Sequence, residues 1–193
     1  MAEKIVMFGD SLTFGYGVYA KDNITTLIEQ KTGIPTINSG LNGDTTRNAL
    51  KRLAKDVLVH NADIVTLLFG SNDCAPSDFY YVTPFEFEQN MRKIIESIEY
   101  SNPKAQVVLI TIPPVDDTVF MPYTTNSRIV PYNDIIRKIA EEKYLPLCDL
   151  SAHLLFVSGG NTDEYLQEDG SHLTEKAYLA FCDCLYDTIK NLI

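Results

Sequence analysis

The sequence predicts an α/β fold, a five-stranded parallel sheet with helices on both faces. Two observations predict it. Short apolar runs rich in β-branched residues alternate five times with stretches of helical periodicity, and nearly every apolar run closes on a turn-forming sequence such as Gly-Asp or Gly-Ser. The chain has 193 residues, 45% of them hydrophobic, enough to bury a core without disulfides or a structural metal. No repeat, low-complexity tract or linker interrupts it, so one domain spanning residues 1–193 is expected.

The first strand is residues 4–8 (KIVMF), an apolar run closed by Gly9 and suited to burial on both faces. Residues 36–38 form a short second strand, and residues 63–69 (DIVTLLF) and 105–112 (AQVVLITI) read as interior strands. Residues 144–148 supply a fifth. Between them Leu50, Leu53, Ala54, Val57 and Leu58 recur at helical spacing and predict one apolar stripe. Thr83-Pro84-Phe85-Glu86 reads as a capping box with proline at the first helical position. Phe87, Met91, Ile94, Ile95 and Ile98 continue that helix. A further helix, opened by Pro131, presents Tyr132, Ile135, Ile136, Ile139 and Ala140. The last starts near Thr174 and buries Tyr178, Cys182, Leu185, Ile189 and Leu192.

The formal charge is −10, so long-range repulsion opposes binding to nucleic acid or to an anionic membrane face. Cys74, Cys148, Cys182 and Cys184 form no CxxC pair. Cys182 and Cys184 flank one residue in a helix, a poor geometry for bridging each other, so free thiols in a reducing compartment are expected. The N-terminal residues lack the basic segment and apolar run of a signal peptide, and no apolar stretch is long enough to span a bilayer. The expectation is a cytoplasmic protein with no membrane insertion.

In a doubly wound sheet, ligands bind at the carboxyl ends of the strands, where strand order reverses. The segments that follow the strands are therefore the informative ones. They are Gly9-Asp10-Ser11-Leu12-Thr13, Gly40-Leu41-Asn42-Gly43-Asp44, Gly70-Ser71-Asn72-Asp73 and, after a further helix, Asp169-Gly170-Ser171-His172. Ester hydrolysis needs a nucleophile, a base, a group that orients the base, and donors for the oxyanion. Ser11 sits in the first turn as the candidate nucleophile. Asp169 and His172, three residues apart, place a carboxylate against one imidazole nitrogen and leave the other for Ser11. Gly43 lets its backbone N–H approach a substrate, and the Asn72 amide and Ser11 N–H are further candidate donors.

These four blocks, GDSLT around Ser11, NGDTT around Gly43, GSND around Asn72 and DGSH with Asp169 and His172, resemble those of the SGNH (GDSL-type) hydrolases, in order and across nearly the whole chain. The resemblance implies a flavodoxin-like α/β/α sandwich and metal-free esterase, lipase, thioesterase or carbohydrate deacetylase activity. It also implies that Ser11, Gly43, Asn72, Asp169 and His172 carry the family's roles. The GxSxG elbow of the α/β-hydrolases is absent around Ser11.

No cofactor is expected. The three histidines are scattered, with no HExxH, and no GxxxxGK[ST] loop is present. His60 and His153 read as structural, while Asp10, Asp44 and Asp73 are expected to brace the turns beside Ser11, Gly43 and Asn72. The substrate is expected to be a small-molecule ester. Candidate pocket residues are Tyr16, the segment 113–130 with Phe120, Met121, Tyr123 and Arg128, and the segment 74–82 with Phe79, Tyr80 and Tyr81. So short a chain leaves little room for a large lid, which favours small or short-chain acyl esters, with a sugar O-acetyl ester as the closest competitor. A non-catalytic module on the same scaffold, binding a flavin mononucleotide in the strand-end crevice, is the alternative from another class.

Overall fold

A computed structural model describes residues 2–119 and 123–193. Five strands, β1 (Ile5–Gly9), β2 (Thr36–Gly40), β3 (Ile64–Leu68), β4 (Gln106–Ile110) and β5 (Leu147–Cys148), form one parallel sheet in the order β2-β1-β3-β4-β5. The order reverses between β1 and β3, which opens a crevice at their carboxyl ends.

Both faces of β1 are buried, and its alternation sorts the core into two layers. Val6 and Phe8 pack with α3 (Thr46–Asp56), α4 (Pro84–Ser101) and α5 (Asn126–Lys143). Ile5 and Met7 pack on the other face with α1 (Ser11–Phe14), α2 (Ile24–Thr32), α6 (Leu150–Val157) and α7 (Glu175–Ile189). This is the flavodoxin-like three-layer α/β/α sandwich that the sequence predicts. The capping of α4 is half as expected: Thr83 Oγ1 accepts from Glu86 N–H, while the Glu86 carboxylate pairs with Arg47 instead of reaching back.

Several boundaries differ from expectation, each for a local reason. The fifth strand shrinks to two residues, because Tyr144 adopts a left-handed conformation (φ 54°) that ends α5. Helix α5 begins at Asn126, five residues before Pro131, which lies inside it. An external cap supports this early start: Asp117 Oδ1 accepts from Asn126 N–H. On α3 the buried stripe runs through Ala49, Arg52 and Leu53, whereas Ala54 is exposed.

Among the described residues all four cysteines are free, with Cys148 and Cys184 sulfurs 3.2 Å apart across β5 and α7. No described helix is long and apolar enough to cross a membrane.

Candidate active site

Ser11 is the first residue of α1, immediately past the end of β1. Asp10 caps this helix: its Oδ1 accepts from Leu12 N–H at 2.9 Å. The turn is squeezed against β2 at Gly40, where an added Cβ would lie 2.2 Å from Phe14 N. Only glycine permits that approach. As a result the Ser11 hydroxyl is held at the crevice, 8% exposed.

Asp169 and His172 come from the turn that precedes α7. The Asp169 carboxylate folds this backbone round itself. Oδ1 accepts from the N–H groups of Ser171 and His172, both at 2.9 Å, and Gly170 takes a positive φ of 68°. Oδ2 then lies 2.6 Å from His172 Nδ1, and His172 Nε2 lies 3.0 Å from Ser11 Oγ. Burial alone would raise the Asp169 carboxyl, but the hydrogen bonds from His172 and Ser171 outweigh it and hold the group below the usual carboxylate range. The Tyr16 ring covers the imidazole, with centroids 4.3 Å apart and planes at 36°. Gln167 ties the two loops together, its Nε2 donating to the carbonyls of Tyr16 (2.9 Å) and Leu173 (2.7 Å).

Gly43 has φ 72°, in the left-handed region, so its backbone conformation favours glycine even though a Cβ would meet Tyr80 at an ordinary 3.5 Å. Among the described residues neither Gly43 N–H nor Ser11 N–H donates to another protein group. The Asn72 amide lies between the ends of β1 and β3. Its Nδ2 donates to Asp44 O at 2.8 Å and makes a long 3.4 Å contact with Asp10 Oδ2. Its Oδ1 accepts from Tyr123 Oη at 3.0 Å.

Beneath these groups lie three buried carboxylates. Burial pushes Asp10 and Asp73 up to about 7, against hydrogen bonds from Leu12 N–H and from Thr46 respectively. Asp44 is also raised by burial, although the Arg52 guanidinium 2.6 Å away pulls the other way. Arg52, 7% exposed, additionally donates to Gly9 O and Ser39 O, both at 2.9 Å, and so joins the ends of β1 and β2 to the Gly43 loop.

The cavity above Ser11 holds about 400 Å³. Leu12, Tyr16, Tyr80, Pro113, Val115 and Tyr123 give it apolar walls, and Asn42, Ser71, Thr124 and Ser171 are polar. Ser11, Gly43, Asn72, Asp169 and His172 all line it, together with the expected Tyr16 and Tyr123. Phe79 and Arg128 do not. Phe79 is 90% exposed on its turn, where its neighbour Tyr80 takes the inward position, and Arg128 is exposed on α5. Phe120 and Met121 lie outside the described residues. His60 falls in a short 3₁₀ turn after α3 and His153 on α6, both away from the cavity. No group of three or more metal-ligating side chains occurs among the described residues.

The doubly wound sheet brings a Ser–His–Asp hydrogen-bonded line to its switch point, the set of groups that serine hydrolysis needs. Residues 7–180 match the GDSL-like lipase/acylhydrolase family, and the chain belongs to that family. It is therefore a carboxylic ester hydrolase rather than a non-catalytic module. A GDSL esterase/lipase of Arabidopsis thaliana is 30% identical, over 90% of this chain and 80% of that protein. The isoamyl acetate-hydrolyzing esterase of Saccharomyces cerevisiae is 28% identical, over 97% of this chain and 86% of its own. The crystal structure of a lipase/acylhydrolase from Enterococcus faecalis superposes with a TM-score of 0.86 at 31% identity, covering 98% of this chain and 96% of that one.

Proposed function

We propose that the protein hydrolyses esters of small or short-chain acyl groups through an acyl-serine intermediate. Ser11 Oγ attacks the carbonyl carbon while His172 Nε2 takes its proton. The tetrahedral oxyanion accepts from Ser11 N–H, Gly43 N–H and the Asn72 amide. As the intermediate collapses, His172 returns the proton to the departing alcohol. Water then attacks the acyl-serine by the same route and releases the acid. Asp169 keeps His172 Nδ1 protonated and the ring aligned, and it balances the imidazolium that forms at each transfer.

The observation that carries this reading is the unbroken line Asp169 Oδ2, His172, Ser11 Oγ, with gaps of 2.6 and 3.0 Å, opening onto a cavity of about 400 Å³. A site of that volume between tyrosines suits a short acyl chain or compact alcohol. A second reading, removal of an O-acetyl group from a sugar, is favoured by the cavity's polar side. There Ser171 Oγ is buried with no hydrogen-bond partner among the described residues.

Hydrolysis of p-nitrophenyl esters from acetyl to palmitoyl, wild type against Ser11→Ala, tests the proposal. Turnover is expected to peak at short chains and vanish in the variant. Undiminished turnover by Ser11→Ala overturns the mechanism. Serine-dependent turnover greatest on palmitoyl overturns the substrate class alone.

A further inference from the structure

The proposed hole uses the Asn72 amide, and a primary amide is a useful donor only if its plane is fixed with nitrogen toward the developing charge. Asp44 O can only accept, so it selects which end of the amide is nitrogen. One Nδ2 hydrogen is thereby spent on Asp44, and the second has only the 3.4 Å contact with Asp10. Both of these contacts are at the nitrogen end, and the one to Asp10 is long, so together they hold the oxygen end only weakly. The second fixed point is at the other end, where Tyr123 Oη donates to Oδ1 at 3.0 Å.

Tyr123 is well placed to hold that point. It lines the cavity, and its ring meets Tyr80 edge-on at 6.0 Å. The next residue is anchored in turn, because Thr124 Oγ1 lies 3.2 Å from Cys74 Sγ on the segment that follows Asn72. Burial pushes the Tyr123 phenol well above its ordinary range, so it remains a donor wherever the enzyme works. A hydroxyl donating to an amide oxygen also polarises that amide and makes its N–H groups stronger hydrogen-bond donors.

We infer that Tyr123 is a positioning residue for the reaction: by donating to Asn72 Oδ1 it locks and polarises the amide that receives the oxyanion. It does so from the substrate cavity, although its ring reads at first as a pocket wall. This rests on the proposed oxyanion role of Asn72. The hydroxyl's contribution appears in the transition state, whereas the ring's contribution as a wall appears in substrate binding.

Those two contributions separate experimentally. Tyr123→Phe keeps the ring and removes the hydroxyl. Steady-state kinetics on p-nitrophenyl acetate are compared for wild type, Tyr123→Phe, Asn72→Ala and the double variant, with thermal melts confirming that each is folded. Tyr123→Phe is expected to lower kcat about tenfold with KM within about twofold of wild type. Asn72→Ala is expected to lower kcat about 10²-fold or more. The double variant is expected to be no slower than Asn72→Ala alone, because the hydroxyl then has nothing left to orient. An unchanged kcat in Tyr123→Phe, a change confined to KM, or losses that multiply in the double variant would each overturn the inference. Ser11→Ala keeps this outcome distinct from failure of the mechanism. If it is inactive while Tyr123→Phe is fully active, only the role of Tyr123 falls. If Ser11→Ala is active, the mechanism falls as well.

Discussion

The two walls of the cavity are built in different ways. Ser11, Gly43 and Asn72 follow directly from the ends of β1, β2 and β3, so the register of three paired strands sets their spacing. Asp169, His172, Val115 and Tyr123 come from irregular segments held by side chain to main chain bonds. Asp169 wraps its own turn, Gln167 reaches Tyr16 O and Leu173 O, and Asn126 grips Val115 through both N–H and C=O. Asp116 N–H also donates to Gly170 O, which links the Val115 segment to the acid–base turn. In the proposed mechanism the strand-end wall supplies the nucleophile and the oxyanion donors at spacings set by the sheet, and the loop wall supplies the proton relay in parts that side chains keep in place.

The sharpest way to break the loop wall is at Asp169. Asp169→Asn preserves shape but offers an amide N–H to His172 Nδ1, which favours the tautomer whose Nε2 cannot take the Ser11 proton. Turnover is expected to fall roughly 10⁴-fold, as measured on a short-chain p-nitrophenyl ester. A loss under tenfold would mean that the 2.6 Å contact does not set the tautomer.

The strand-end wall breaks at Arg52. Replacing it with methionine leaves the buried Asp44 carboxylate without its cation and removes the donors that Arg52 gives to Gly9 O and Ser39 O. Removing one partner of a buried pair costs about 3–5 kcal/mol, or roughly 10 °C in Tm for a chain of this size. Arg52→Met with Asp44→Asn should recover part of that loss in a thermal melt. Equal destabilisation of the single and double variants would show that the carbonyl bonds matter more than the charge pair.

Arg52 also shows where the sequence stops being legible. Periodicity sorts α3 into apolar and polar faces and puts an arginine outside. The three strand-end acceptors that draw it inward are 8, 13 and 43 residues away. The fold and the approach of Ser11, Gly43 and Asn72 to one cavity were readable because each of these residues follows the end of a strand, whose direction fixes where the next residues go, whereas Asp169 and His172 were readable only from their three-residue spacing. Tyr80 and Phe79 are adjacent aromatics on an irregular turn, where no period says which one faces the cavity. The early start of α5 depended on Asp117, nine residues upstream of the N–H it caps, so Pro131 looked like the natural first residue. The Asn72–Tyr123 bond joins residues from separate strand-end segments, a pairing that spacing does not reveal.

The buried acids make the strand-end wall pH-sensitive. Asp10 and Asp73, raised to about 7, hold protons in the folded protein that the unfolded chain has already released. Their stabilising contribution is full at pH values below the ordinary carboxylate range and is lost as pH rises through about 7. In Asp73→Asn one of the two titrations is gone. The Tm difference, variant minus wild type, should therefore grow between about pH 5 and about pH 8. A constant difference across that window would show that Asp73 is ionised throughout.

The smallest expected effects belong to the exposed residues outside the cavity. Phe79 is 90% exposed and Arg128 is exposed on α5, and neither lines the cavity. Phe79→Ala and Arg128→Ala should leave kcat/KM on short esters within about twofold of wild type, as for surface substitutions generally. Tyr80→Ala opens the wall beside Gly43, where the Tyr80 ring stands 3.5 Å from the position a Cβ would take. It should shift the preferred p-nitrophenyl ester toward longer acyl chains while Phe79→Ala does not. If the two variants move the chain-length profile equally, the turn carrying them is reorganised by substrate, and the division between a structural aromatic and a binding one fails. If only Tyr80→Ala moves it, chain-length selection belongs to the inward residue of that turn, and the strand ends keep the proposed nucleophile and oxyanion donors alone.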